Sequence, residues 1–270
     1  YLLLITQTMC RILGYLGSPL KLEKILSKPE HSLIVQSYKP QEMISATVNA
    51  DGFGLGWYHK DEDTTPFTYK NILPIWSDIN LPQLSRYVES GCILGYVRSA
   101  TAGLAVDLSN CQPFEQEKLL FLHNGFIHNF RHSLYRDIRN SLDDYSYELI
   151  DGNTDSEHIF ALIINHLQLN PEMSLETALD KTLHQIKQLA SNPKVLFSAN
   201  TLISTGKKLV ASRYANRSPA PSLYWLKDDP HYPDAVIIAS EPLFAGNWKS
   251  CPEQSLIIVE ENLEVTIHQL

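Results

Sequence analysis

The order in which two hydrophobic periodicities follow one another limits what this chain can fold into. Apolar runs of strand length come first, at residues 11–16, 92–97 and 119–122. Two helical patterns follow. Thr154-Asp155-Ser156-Glu157 has the form of a capping box, and Ile159, Phe160, Ile163, Ile164 and Leu167 repeat behind it at helical spacing. A second helix is expected from Ser174, with Leu175, Ala178, Leu179, Ile186 and Leu189 facing inward. Strands then return at residues 201–204, 209–213, 235–239, 256–259 and 263–267, with Thr205-Gly206 and Glu261-Asn262 as turns. Strands, helices and strands again, without βαβ alternation, predict an α+β layered fold with largely antiparallel sheets.

The segments between these runs are less regular. Residues 20–27 read as a short amphipathic helix ended by Pro29, and residues 31–38 as extended or irregular chain. Asp51-Gly52-Phe53-Gly54-Leu55-Gly56-Trp57-Tyr58 is a glycine-rich lead into a strand. Its G-x-G-x-G spacing continues into aromatic, strand-like sequence and not into a helix N-terminus. Backbone packed close against a neighbour is therefore favoured over a phosphate loop. Residues 64–82, rich in Pro, Asn and aromatic side chains, are expected to form a long surface loop.

Composition removes several function classes. With 270 residues, 44% of them hydrophobic and 19% charged, the chain can bury a full core. A net charge of −8 with dispersed basic residues argues against a nucleic-acid-binding surface. No apolar run reaches membrane-spanning length, and Tyr1-Leu2-Leu3-Leu4-Ile5 lacks the basic flank and cleavage site of a secretory leader. Cys10, Cys92, Cys111 and Cys251 lie far apart without a Cys-x-x-Cys pair, so neither a zinc site nor a disulfide framework is expected. The expected setting is reducing cytoplasm.

Chemistry concentrates where apolar runs end in polar residues. The apolar run 92–97 ends at Arg98, whose guanidinium suits either a bidentate grip on a carboxylate or a buried structural ion pair. The run 119–122 ends at His123-Asn124-Gly125. Asn-Gly between apolar runs is a strong hairpin signal, and the same pair could supply a side-chain and a backbone N–H to an oxyanion. Asp155 in the first turn of a capped helix compensates the helix dipole or recognises an ammonium group. Cys10 directly follows Met9. If Met9 is the initiator and is removed, Cys10 carries both a thiol and a free α-amine, titrating near ~8.5 and ~7.7–8.0. The amine can then serve as base for its own side chain; otherwise Cys10 is a small buried residue opening a strand. An Arg for a carboxylate, an Asp for an ammonium, an oxyanion hole and a thiol together describe a site for a γ-glutamyl amide.

In their order, Met9-Cys10, Asp51-Gly52-Phe53-Gly54, Arg98-Ser99-Ala100-Thr101, His123-Asn124-Gly125 and Thr154-Asp155-Ser156-Glu157 resemble the motif set of class II glutamine amidotransferases. These are N-terminal-nucleophile (Ntn) hydrolases with a four-layer αββα sandwich. The resemblance implies Cys10 as nucleophile, Asn124 and Gly125 as oxyanion hole, Arg98 as carboxylate clamp, Thr101 as a secondary carboxylate contact and Asp155 as ammonium partner. It implies no cofactor and no metal. Ser99 and Ala102 stand where synthase-linked members usually carry an aromatic residue and a His. The chain also shows no acceptor domain to receive ammonia. Both features, with the opening Met-Cys-Arg-x-Leu-Gly-Tyr-Leu-Gly, look more like the stand-alone amidohydrolases of ergothioneine biosynthesis, which act on γ-glutamyl-hercynylcysteine sulfoxide. The expectation is a single catalytic domain over residues 10–270, with residues 1–9 absent from the working protein because the mechanism needs a free amine. The alternatives are a glutaminase subunit passing ammonia to a separate synthase partner, and an inactive amino-acid-binding relative.

Other candidates are weaker. His123, His128 and His132 do not form a His-Glu-x-x-His motif, and no G-x-S-x-G elbow is present. Arg213 and Ala239-Ser240-Glu241-Pro242 end strands and either shape the leaving-group side or merely terminate those strands.

Overall fold

The computed structural model describes residues 9–42, 48–59, 65–100, 106–191 and 195–270. Its first strand, β1 (Arg11–Lys21), leads into helices α1 (Leu22–Leu26) and α2 (Leu33–Tyr38). Next come β2 (Phe53–Trp57), β3 (Phe67–Asn71), helix α3 (Leu81–Tyr87), β4 (Glu89–Val97), β5 (Phe114–Gln116) and β6 (Leu119–Ile127). Four helices follow: α4 (Tyr135–Asn140), α5 (Asp144–Glu148), α6 (Asp155–Leu169) and α7 (Leu175–Leu189). The chain closes with β7 (Phe197–Ser204), β8 (Leu209–Arg213), β9 (Tyr224–Asp229), β10 (Tyr232–Ala239), β11 (Lys249–Ser250), β12 (Ser255–Val259) and β13 (Val265–Gln269).

The strands form two antiparallel sheets, ordered β11-β9-β10-β1-β4-β2-β3 and β13-β12-β8-β7-β6-β5. Period-two alternation sorts each strand between two apolar layers. On β1, Ile12 and Leu16 point into a core shared with Leu120, Leu122, Leu202, Leu209 and Ile257 of the other sheet. Leu13 and Tyr15 point the other way, onto Leu22, Ile25 and Leu33 of the helices beside the first sheet. Phe121, Ile203, Val210 and Leu256 likewise leave the second sheet to meet Ile159, Ile163, Leu179 and Leu183 of α6 and α7. Helix, sheet, sheet, helix is the αββα sandwich.

The late elements match the sequence pattern closely. Ser174 caps α7, whose Leu175, Ala178, Leu179, Leu183 and Ile186 are buried at helical spacing. Thr154 caps α6 by accepting from Glu157 N. Glu157 itself reaches back to Asp151 N and Gly152 N, one turn further than a capping box requires. α6 is buried on nearly every side from Ser156 to Asn165 because α4, α5 and α7 flank it over the sheet.

Several early expectations need correction. β1 continues to Lys21, so the first helix starts only at Leu22. Residues 33–38 are helical and not extended: Ser32 accepts a hydrogen bond from Val35 N and caps α2. Residues 67–71, expected within a surface loop, form β3 on the edge of the first sheet, paired with β2. Asn124-Gly125 is no hairpin turn. β6 runs straight through it, pairing Asn124 with Asn200 and Gly125 with Ala199.

The glycine-rich stretch is close-packed backbone. A Cβ on Gly54 would lie 1.9 Å from the Gln112 carbonyl oxygen, and one on Gly56 would lie 2.6 Å from Leu120 Cδ1. These glycines let β2 approach the segment that carries β5 and β6. Gly54→Ala is expected to destabilise the protein by about 1–3 kcal/mol, since the Gln112 carbonyl it would meet is backbone that cannot rotate away; a urea midpoint shift at unchanged m-value measures it.

Candidate active site

The register of the first sheet gathers strand ends. Val97 pairs with both Arg11 and Phe53, and Leu13 pairs with Ala239. The start of β1, the end of β4, the start of β2 and the end of β10 therefore meet at one edge. Cys10 lies there, half-buried against the core between the sheets. Its Sγ is 3.0 Å from the Tyr96 hydroxyl and 3.4 Å from Ser99 N. Burial pushes the Cys10 thiol up. The Tyr96 and Ser99 hydrogen bonds and the charges of Arg98 and Arg11 pull it down, without offsetting the burial.

Arg98 is 3% exposed, with its backbone N–H on Gly52 O and a guanidinium nitrogen 3.4 Å from Asp51 O. The Asp51 carboxylate in turn accepts from Ala100 N. Thr101, expected beside Arg98, lies outside the described residues.

The second sheet supplies the facing wall. Like Leu120 and Leu122, Asn124 points toward the first sheet; its Nδ2 is 3.5 Å from Ser240 Oγ, which accepts from Ile12 N at 3.0 Å. The short β5 leaves the outer edge of β6 without a strand past Phe121. Side chains take its place. Gln112 bonds both His123 N and His123 O, and Asp155 accepts from Ile127 N at 2.7 Å. Gly125 lies two residues from each, so ladder alternation aims its N–H into the gap between them. A Cβ here would lie 2.1 Å from Ser198 O and 2.4 Å from His123 Nε2, so only glycine fits. Asn124 and Gly125 can thus act as a donor pair although they form no turn.

His123 braces that glycine. The Ser198 carbonyl can only accept, so His123 Nε2–H donates to it, and Nδ1 accepts from Ser156 Oγ. Burial lowers its pKa, opposed by Asp155 and Ser198, which keeps the ring neutral. Both ring nitrogens are engaged. Among the described residues no group of three His, Cys, Asp or Glu side chains is placed to hold a metal ion. Asp155 is half-buried at the start of α6 and uses one oxygen on Ile127 N and the other on Ser156 N. Each oxygen retains a further lone pair for an ammonium group.

The late strand ends divide. Ser240 joins the site beside Asn124, whereas Arg213 is held by Pro221 O, Cys251 O and Glu253 within its own region. Glu241 is a buried structural partner: Arg11 Nε lies 2.7 Å from one oxygen and His31 Nε2 2.6 Å from the other. Arg11 also donates to Cys10 O at 2.9 Å, so this pair fixes the backbone of the thiol residue. Neither Tyr96 nor the Arg11–Glu241 pair was expected from sequence. A charge directly after Cys10, inside an apolar strand, is the signal that a buried counter-charge must exist.

The family model of class II glutamine amidotransferases matches residues 30–267. The chain belongs to that family and is an amidohydrolase. Over 94% of its length it is 28% identical to the probable glutamine amidotransferase DUG3 of Saccharomyces cerevisiae, covering 82% of that protein. It is also 28% identical, over 94% of its length, to the gamma-glutamyl-hercynylcysteine sulfoxide hydrolase of Mycolicibacterium smegmatis, covering 96% of it. Among solved structures, a glutamine aminotransferase class-II domain protein from Silicibacter pomeroyi superposes at TM-score 0.70, with 22% identity, over 97% of this chain and 99% of that one. The glutamine phosphoribosylpyrophosphate amidotransferase of B. subtilis superposes at 0.66, with 16% identity, over 96% of this chain and 49% of that one. The sandwich is therefore of the Ntn type.

Burial alone would raise the Glu241 pKa, but His31, the Arg11 charge and the N–H groups of Gln41 and Glu42 outweigh it and hold the carboxyl at about 2. A depressed folded-state value contributes stability that is present above the unfolded value of ~4.3 and lost as pH falls toward the folded one. Glu241→Gln is expected to cost about 3 kcal/mol near neutral pH. It should also flatten the stability loss between about pH 4.5 and 2. Denaturant titrations across that range measure both.

Proposed function

We propose that the chain is a cysteine-dependent hydrolase of γ-glutamyl amides whose catalytic domain begins at Cys10. The observation that carries this reading is the placement of Cys10 Sγ at the sheet edge, beside Ser99 and under the field of Arg98. Opposite it, Asn124 and Gly125 present donors from the second sheet. The matched family range starts after Cys10, so the role of the thiol rests on this geometry.

In the proposed reaction the free α-amine of Cys10 takes the thiol proton and Sγ attacks the γ-carbonyl carbon. The carbonyl electron pair moves to oxygen, which receives hydrogen bonds from Asn124 Nδ2–H and Gly125 N–H. The α-ammonium proton passes to the leaving nitrogen as the C–N bond breaks, leaving a glutamyl thioester. Water adds through the same base, the C–S bond breaks, and glutamate departs. Arg98, assisted by Thr101, holds the substrate carboxylate, and Asp155 its ammonium. No step calls for a cofactor. The small-molecule substrate is a substituted γ-glutamyl compound, the class named in the mycobacterial relative. The four cysteines are free, which suits the cytoplasm. Among the described residues no helix is long and apolar enough to cross a membrane.

The name of the yeast relative favours a second reading, a glutaminase subunit that delivers ammonia to a separate synthase. Turnover of a panel of γ-glutamyl thioethers and sulfoxides against free glutamine separates the two. The hydrolase reading expects the substituted compounds to be preferred; equal or better turnover of glutamine overturns it. Intact mass of the active protein should place its N-terminus at Cys10, and Cys10→Ala should lower kcat at least ~10³-fold.

A further inference from the structure

The reaction above leaves one contact unused. Tyr96 lies on the inner face of β4, 3% exposed, with its hydroxyl 3.0 Å from Cys10 Sγ. Ser99 N approaches the same sulfur at 3.4 Å, and the thiol can donate to Ser99 O at 3.7 Å, which leaves the Tyr96 hydroxyl to donate to the sulfur. A thiol donating to Ser99 O still has lone pairs free for both donors. When the proton leaves, the sulfur gains negative charge while the two N–H and O–H groups remain in place.

We propose that Tyr96 is a further catalytic residue, whose hydroxyl together with Ser99 N–H forms a cradle for the Cys10 thiolate. This rests on Cys10 being the nucleophile. The cradle acts twice. It stabilises the sulfur when the α-amine has taken its proton, before the S–C bond forms. It acts again when the C–S bond breaks and its electron pair returns to sulfur. Tyr96 transfers no proton at either point. Burial and the adjacent Cys10 push its phenol well above the ordinary value, with Arg98 opposing, so it stays a donor throughout the working pH range.

The other groups that act on Cys10 are accounted for. Arg98 follows β4 and Arg11 follows Cys10 on β1; both favour the thiolate through charge. Cys111 lies near enough to interact and is itself pushed up by burial. Among the described residues Tyr96 is the side chain that hydrogen-bonds the sulfur, so its removal is specific.

The test is the pH dependence of Cys10 alkylation by iodoacetamide in the full chain, read by peptide mass. Tyr96→Phe keeps the ring and removes the hydroxyl. Loss of a hydrogen bond to a charged sulfur is expected to move the alkylation midpoint up by about one pH unit. In the active enzyme it should lower kcat about tenfold with KM little changed. Site-specific 3-fluorotyrosine at position 96, a stronger donor of nearly the same volume, should move the midpoint down. A merely structural tyrosine would shift neither profile. Superimposable profiles for wild type and both variants would overturn the cradle, whatever the activity. Loss of activity in Cys10→Ala reports separately on the nucleophile: if that variant stays active, the proposed reaction fails, whereas the alkylation profiles still decide whether Tyr96 controls the thiol.

Discussion

Face-to-face packing of the two antiparallel sheets is the constraint on which everything else here depends. Ile12, Leu16, Leu94, Val236 and Ile238 from one sheet interdigitate with Leu120, Leu122, Leu202, Leu209 and Val259 from the other. Each such side chain removed from water contributes about 1.5–3 kcal/mol, and the set can be satisfied only at one registration of the sheets. That registration sets Cys10, just before Ile12, and Asn124, two residues past Leu122, on walls that face each other. Slipping either strand by one residue would turn its own member of the pair away.

The edge of the site is built from interrupted pairing. β5 spans only Phe114–Gln116, so β6 continues beyond its partner with backbone groups open to one side. Gln112 and Asp155 fill the positions on either side of Gly125. A full-length β5 would consume the Gly125 N–H in the ladder and leave no donor for a ligand. Stopping a strand early leaves a backbone donor open on an otherwise ordinary sheet. The cost is small, because side-chain amide and carboxylate groups satisfy the neighbours.

The thiol occupies an environment that resists ionisation. Burial raises its pKa despite two donors and two nearby guanidinium groups. Arg11 serves this arrangement from the opposite face of β1, where Glu241, itself held by His31, neutralises it while it grips the Cys10 carbonyl. Breaking that buried pair would leave a charge without a partner at the residue next to Cys10. Stability and geometry at Cys10 are thus coupled through one ion pair.

Periodicity in the sequence determined the α+β class, the positions of α6 and α7, and strands such as β8 and β12, because burial on one face or two writes itself directly into residue order. Arg98, Asn124 and Gly125 stood out as polar residues closing apolar runs, Cys10 through the Met9 before it, and Asp155 through the capped helix it opens. The short helix after Ser32 escaped because two of its three buried residues, Gln36 and Ser37, are polar, and the edge strand β3 because it buries little. Asn124-Gly125 misled as a turn because the local preference of that dipeptide is real but weaker than pairing with β7 along eight residues of β6. The contacts of Tyr96 with Cys10 and of Glu241 with Arg11 span 86 and 230 positions. Only tertiary structure decides such partners, because they follow from strand order and register across two sheets, and neither is encoded in local spacing.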